Sequence, residues 1–181
     1  MKKPILIAVL CCALPLAVIF FYSGGFTDHS SMKQQPENKR VDASVGDTAP
    51  DFSFQTIEGE TISLSSLKGE SVIFTFVLTV GCTPCQITAA TILEAQKQAS
   101  FKVIILAVNP RETTADLKNF RNNFGSPDWL IGFDKDTSIA ELYNARVIDT
   151  KLIVDAKGKI IYRDNGATIK TQTLIDKIKT Q

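Results

Sequence analysis

Apolar and polar positions along the chain change period several times, and each change marks an element. Phe52 and Phe54 alternate with polar neighbours, Glu58-Gly59 offers a turn, and Thr61-Ile62-Ser63-Leu64 resumes the alternation. That pattern predicts a hairpin. Ser71 to Leu78 is a mostly apolar run and predicts a buried central strand, and helical signals follow from Cys82 to about Ala99. Phe101 to Val108 predicts a second buried strand. Thr113 or Thr114 is placed to cap a helix that carries Leu117, Phe120 and Phe124 on one face and ends at Gly125. Trp129 to Phe133 predicts a short strand, and Asp136 or Thr137 opens a helix through Tyr143. Lys151 to Asp155 and Lys159 to Arg163 predict two strands joined at Ala156-Lys157-Gly158. Thr171 caps a last amphipathic helix with Leu174, Ile175 and Ile178. Strands alternate with helices and then a hairpin and a helix follow, so the pattern predicts an α/β domain with a central mixed sheet. The phenylalanines and strand isoleucines read as core.

The N-terminus has a different pattern. Met1-Lys2-Lys3 precedes Pro4 to Tyr22, which holds no charged residue. That is about 19 residues, or roughly 28 Å as a helix, close to the hydrocarbon thickness of a bilayer. Lys2 and Lys3 favour a cytoplasmic N-terminus, which places the rest of the chain outside. Pro15 falls mid-span, where a lipid-embedded helix tolerates it. We read residues 1–23 as a signal anchor, a single-pass membrane segment ending in Phe20-Phe21-Tyr22. The alternative is secretion after cleavage at Ser23-Gly24-Gly25. Cys11 and Cys12 read as small apolar span residues, and Leu10 before Cys11 argues against a lipoprotein. Residues 24–43 are polar and read as a tether, with His29 solvated in it, and residues 44–181 form the domain.

Composition narrows the chemistry. The chain has 181 residues, a net charge of +1 and 44% hydrophobic residues, which fits one globular domain plus a short extra segment. Near-neutral charge gives no electrostatic case for nucleic acid. Of the four cysteines, only Cys82 and Cys85 fall in the domain, as Cys82-Thr83-Pro84-Cys85 on a strand-to-helix turn. Such a pair opens and closes a disulfide with little backbone movement, so thiol–disulfide exchange is the first reading. The same spacing builds zinc and haem sites. Zinc needs about four ligands, and with His29 in the tether such a site would need several carboxylates. Covalent haem attachment needs His after the second Cys, and Gln86 stands there. We expect no metal and no cofactor besides the Cys82–Cys85 disulfide.

Helix position defines the roles. At a helix N-terminus the dipole and unpaired N–H groups favour a Cys82 thiolate, which attacks a partner's disulfide. Cys85, one turn on and more buried, resolves the mixed disulfide. Pro84 fits the first turn, where N–H groups have no intrahelical acceptor. A static bridge of this length would add little stability.

From about Ser44 to Gln181 the chain resembles the membrane-anchored thioredoxin-like proteins of the TlpA/ResA type. The matching pieces are Val45-Gly46-Asp47-Thr48-Ala49-Pro50-Asp51-Phe52, a motif shared with peroxiredoxins, then Leu64-Ser-Ser-Leu67-Lys-Gly69 and the Cys-x-Pro-Cys. Val108-Asn109, Phe120, Asp134, Tyr143 and Leu152-Ile-Val-Asp155-Ala-Lys-Gly158 follow in order. The resemblance implies a thioredoxin-like fold with an N-terminal β-hairpin extension. It also implies dithiol exchange with protein thiols and disulfides outside the cytoplasm, a membrane redox donor, and service in cytochrome c maturation or oxidative folding.

The chain departs from that pattern at the site. Gly81 stands where the family usually has Trp, while Phe76 and Thr88 stand at its two buried acidic or polar positions. With neither acid present, no side chain is an evident proton shuttle, and water is left to serve. Asp149-Thr150 occupies the place of the family's cis-proline. Gly81, Thr83, Asp149 and Thr150 are therefore the substrate-contact candidates, and an Asp near the thiols would raise their pKa by like-charge repulsion.

Three other readings are weighed. A peroxiredoxin uses Pro-x-x-x-Thr-x-x-Cys; Thr79 fits, but Thr75 stands at the proline and no late Arg is evident. A Sco-type copper assembly factor spaces its cysteines by three and adds a late His, whereas here the spacing is two and Val147 and its neighbours occupy that region. The third is a thioredoxin-like module that binds partners without turnover.

Overall fold

The computed structural model describes residues 43–166 and 168–180. The anchor and most of the tether read above lie outside the described residues. Among the described residues, no helix is long and apolar enough to cross a membrane. Ala43, read as tether, is buried, and its carbonyl accepts from Arg163 at 3.1 Å, so the folded part includes it.

Among the described residues, seven strands and four α-helices follow in chain order, with a short 3-10 helix at Leu64–Leu67 between the second and third strands: β1 Ser53–Gln55, β2 Thr61–Ser63, β3 Val72–Val77, α1 Thr83–Gln96, β4 Lys102–Ala107, α2 Thr114–Phe124, β5 Leu130–Phe133, α3 Ser138–Leu142, β6 Thr150–Val154, β7 Ile160–Asn165 and α4 Thr171–Lys179. The strands and helices expected from the sequence are all present, with ends shifted by a few residues. β1 and β2 form an antiparallel hairpin, and the other five strands form one sheet in the order β5-β4-β3-β6-β7. β3, β4 and β5 run parallel, while β6 and β7 are antiparallel to their neighbours.

The period-2 pleat explains why the central strands are apolar throughout. Ile73, Val77, Val103, Ile105 and Ala107 face one layer, with Ile92 of α1, Leu117 and Phe120 of α2, and Leu174 and Ile178 of α4. Phe74, Phe76, Ile104 and Leu106 face the other, with Phe52 and Phe54 of the hairpin region and Tyr143 after α3. Both faces are covered, so neither can be polar. On the second face Phe74 packs edge-on against Phe52 and Tyr143, with centroids at 5.5 and 4.8 Å. The hairpin crosses close to β5, where a Cβ at Gly132 would collide with the Gln55 carbonyl and the Phe54 ring.

Helix starts differ in detail from the sequence reading. Thr113 caps α2 through a reciprocal box with Asp116, as expected. Thr137 precedes α3 but makes no side-chain cap bond. The Asp134 carboxylate does that work, accepting from Ile139 N at 3.1 Å and Ala140 N at 2.8 Å. Thr171 is the first residue of α4 rather than its cap; Lys170 holds the cap position without a side-chain bond.

Candidate active site

β3 runs through the middle of the sheet and delivers the chain to Leu78, where the ladder ends. The chain then turns through Gly81 at φ +75°. L side chains rarely adopt that conformation, which gives a physical reason for glycine where the related pattern has Trp. Cys82 caps α1, its sulfur accepting from Cys85 N at 3.2 Å, and Pro84 sits within the first turn. Cys82 and Cys85 form a disulfide with their Cα atoms 5.3 Å apart. Cys82 is 8% exposed and Cys85 1%, so the first sulfur is the one a partner reaches.

A buried carboxylate that sequence reasoning missed holds the approach to Cys82. Glu112, in the turn between β4 and α2, is 3% exposed. Its Oε1 accepts from Thr79 N at 2.7 Å and Val80 N at 2.9 Å. These N–H groups lie beyond the end of the β3 ladder and have a carboxylate in place of a strand partner. The signal was an acidic residue just after a buried parallel strand, at the strand-end edge where α/β sheets place their sites. Glu112→Ala is expected to lower unfolding stability by about 1–3 kcal/mol, because two backbone donors lose their acceptor. Glu112→Gln, which keeps an acceptor oxygen, should lose clearly less. Urea denaturation of the two variants checks this, and equal losses would contradict it.

The substrate-contact candidates separate. Gly81 and Thr83 are exposed beside Cys82, as is Pro84. Asp149 and Thr150 are not on the surface: they are 1% and 0% exposed. Thr150 lies in β6 opposite Phe76, and its hydroxyl donates to the Val147 carbonyl at 2.6 Å. The Asp149 N–H donates to the Phe76 carbonyl at 2.8 Å, which ties this segment to the end of β3. Asp149 has φ +66°, a left-handed conformation that Asp adopts more readily than most residues. No described peptide bond is cis.

The Asp149 side chain has a cation beside it. Lys151 Nζ is 3.2 Å from Asp149 Oδ2 and 3.4 Å from Asp164 Oδ1, and Lys151 is 2% exposed. Lys151 and Asp164 face each other across the β6–β7 register. The Thr88 hydroxyl on α1 donates to Asp149 Oδ2 at 2.7 Å, while Asp149 Oδ1 is buried without a hydrogen-bond partner among the described residues. Burial pushes the Asp149 carboxyl above the usual carboxylate range, and Thr88 and Lys151 only partly offset this. This buried carboxyl lies one residue before β6 and bonds to the helix whose first turn holds the cysteines.

Five large hydrophobic side chains are exposed among the described residues, and four of them are Val80, Ile87, Val147 and Ile148. They come from the loop before Cys82, the second turn of α1 and the segment before β6. Among the described residues no group of three or more His, Cys, Asp or Glu is arranged to hold a metal ion. Chemically, the site offers a reversible disulfide whose first cysteine is more exposed than its second.

The sequence profile of the Redoxin family matches residues 44–179. Among characterised proteins, the thiol-disulfide oxidoreductase ResA of Bacillus thuringiensis (strain Al Hakam) is 30% identical over 152 residues, covering 83% of this chain and 80% of that protein. The thioredoxin-like protein YneN of Bacillus subtilis is 33% identical over 132 residues, covering 72% and 76%. Among solved structures, a thioredoxin-like protein from Aeropyrum pernix superposes with a TM-score of 0.64 at 28% identity, covering 72% of this chain and 89% of that one. The thioredoxin domain of a thiol-disulfide oxidoreductase from Bacteroides vulgatus gives 0.63 at 22% identity, covering 76% and 96%, and supports the fold alone.

Proposed function

The chain belongs to the Redoxin family and is a thiol–disulfide oxidoreductase with a thioredoxin-like fold, and we propose that it works outside the cytoplasm on partner proteins. The observation that carries this reading is the Cys82–Cys85 disulfide at the start of α1, with Cys82 8% exposed between exposed Gly81 and Thr83 and Cys85 1% exposed. Val80 just before Cys82 and Ile87 in the second turn of α1 are exposed large hydrophobic side chains, which supports a protein partner. A small polar thiol gains nothing from such a surface, whereas a protein segment with apolar residues beside its cysteine does. The lysines at the N-terminus and the uncharged run after them support anchoring in a membrane with the domain outside.

In the forward direction Cys82 thiolate attacks a sulfur of the partner's disulfide, and the partner's other sulfur leaves. Cys85 then attacks Cys82 Sγ, releasing the reduced partner and closing the disulfide seen in the structure. A membrane redox donor restores the dithiol, and the pair needs no other cofactor. Cytochrome c maturation requires a reducing pair and oxidative folding an oxidising one, so the reduction potential of Cys82–Cys85 separates the two roles.

The test of exchange is Cys85→Ser in the full-length chain. Without the resolving thiol, the mixed disulfide on Cys82 should persist and appear as a higher band on non-reducing gels, lost on reduction and absent in the Cys82→Ser/Cys85→Ser control. If no such adduct forms with a reducible protein substrate, the exchange mechanism is wrong.

A further inference from the structure

The buried cluster beneath α1 is not used by the exchange steps above, and the inference drawn from it rests on that exchange reading. Cys85 is 1% exposed, so its thiol must give up a proton where water has little access. Thr88 is three residues further along α1, also 1% exposed, and so lies next to Cys85 on the same helix face. The Thr88 hydroxyl donates to Asp149 Oδ2 at 2.7 Å.

We infer that Asp149, acting through the Thr88 hydroxyl, takes the proton from Cys85 when the mixed disulfide is resolved and returns it when the disulfide is reduced. In the resolving step the Cys85 proton moves to Thr88 Oγ1 as the Thr88 proton moves to Asp149 Oδ2. The Cys85 thiolate then attacks Cys82 Sγ. The Cys82–partner bond breaks, its electron pair leaves on the partner sulfur, and that thiolate takes a proton from water. Two electrons have passed from the dithiol to the partner, and Asp149 holds the Cys85 proton until solvent removes it.

Several groups face Asp149 and prepare it for this. Lys151 from β6 stabilises the ionised form at 3.2 Å; Asp164 from β7 pairs with the same lysine and accepts from the Tyr162 hydroxyl at 3.3 Å. From β3 the Phe76 carbonyl takes the Asp149 backbone N–H. Burial raises the carboxyl above its usual range, which brings its proton affinity closer to that of a thiol. The partnerless Oδ1 and the left-handed backbone show a carboxylate held in place at some cost.

The experiment separates the two cysteine steps. Full-length chain carrying Cys11→Ser and Cys12→Ser is reduced and mixed with 5,5′-dithiobis(2-nitrobenzoate), and the released chromophore is followed by stopped flow. A first, concentration-dependent release reports Cys82 attack, and a second, concentration-independent release reports Cys85 resolution. In Asp149→Asn and in Thr88→Val the first phase should stay within about threefold of the parent, while the second slows by about tenfold or more at neutral pH. The second-phase pH profile of the parent should show an inflection above the ordinary carboxylate range, and that inflection should vanish in both variants. Thr88→Val leaves the Asp149–Lys151 pair in place, so its effect does not depend on how Asp149→Asn folds. Second-phase rates and pH profiles that match the parent in Thr88→Val would overturn the relay. Absence of a second phase in the parent itself would instead overturn the exchange reading.

Discussion

Cys82→Ser is expected to abolish disulfide exchange, with turnover of a disulfide-bonded protein substrate falling by about 10³-fold or more. The reason is positional. Cys82 caps α1 with its sulfur held by Cys85 N, and it is the more exposed of the two sulfurs. A serine hydroxyl there keeps the cap but is not nucleophilic towards sulfur at neutral pH. The fold should survive, because the disulfide closes a loop with a sequence separation of only 3. The chain-entropy account gives such a short loop about 2 kcal/mol or less. Turnover and urea denaturation on one preparation check both halves. A variant that is folded and still turns over would refute Cys82 as the nucleophile.

Lys151→Met is expected to be the most damaging substitution for stability, at about 3–5 kcal/mol near neutral pH. Methionine matches the length of lysine but leaves Asp149, 1% exposed, without its cation, and Asp164 loses the same partner. The loss should depend on pH, and the sign follows from Asp149. Burial raises its carboxyl in the folded state above the unfolded value of 3.8. Its contribution to stability is therefore fully present below the unfolded value and is lost as pH rises through the folded one. Lys151 lowers the folded value, so its removal moves that loss across a wider span of pH. Parent and variant should thus differ least in mild acid and most at neutral and alkaline pH. Denaturation curves at several pH values test this, and a difference constant with pH would contradict it. Adding Asp149→Asn to Lys151→Met should recover part of the loss at neutral pH, because the stranded charge is gone.

Both effects bear on how one segment came to differ from its relatives. Asp149-Thr150 stands where the related pattern has a cis-proline, a position at the surface facing a substrate. In this chain both residues are buried, and Val147 and Ile148 are exposed just before them. The segment therefore has an apolar outer part and a charged inner part.

Much of this was legible in the sequence, for local reasons. Runs such as Val72–Val77 and Lys102–Ala107 read as buried strands because period and composition act over a few residues. Thr113 and Asp116 cap α2 across three residues, and Cys82 and Cys85 pair across the same distance. The spacing of the cysteines, the strand before them and the helix after them made exchange the first reading, and the absence of a His after Cys85 together with the order of the flanking motifs narrowed it. Lys151 inside an otherwise apolar strand was a warning that a partner exists, but the sequence does not name it.

What the tertiary structure decided is which distant groups meet. Glu112 reaches Thr79 across 33 residues, and Asp149 reaches Thr88 across 61. No periodicity encodes such pairings, because they depend on which strand ends and helix faces the sheet order brings together. Burial adds the second condition, since a carboxylate is ordinary in water and consequential only where water is excluded. The reaction at Cys82 and Cys85 was thus written in the chain order, while the proton handling around it arises only when β6 is paired with β3 and laid beneath α1.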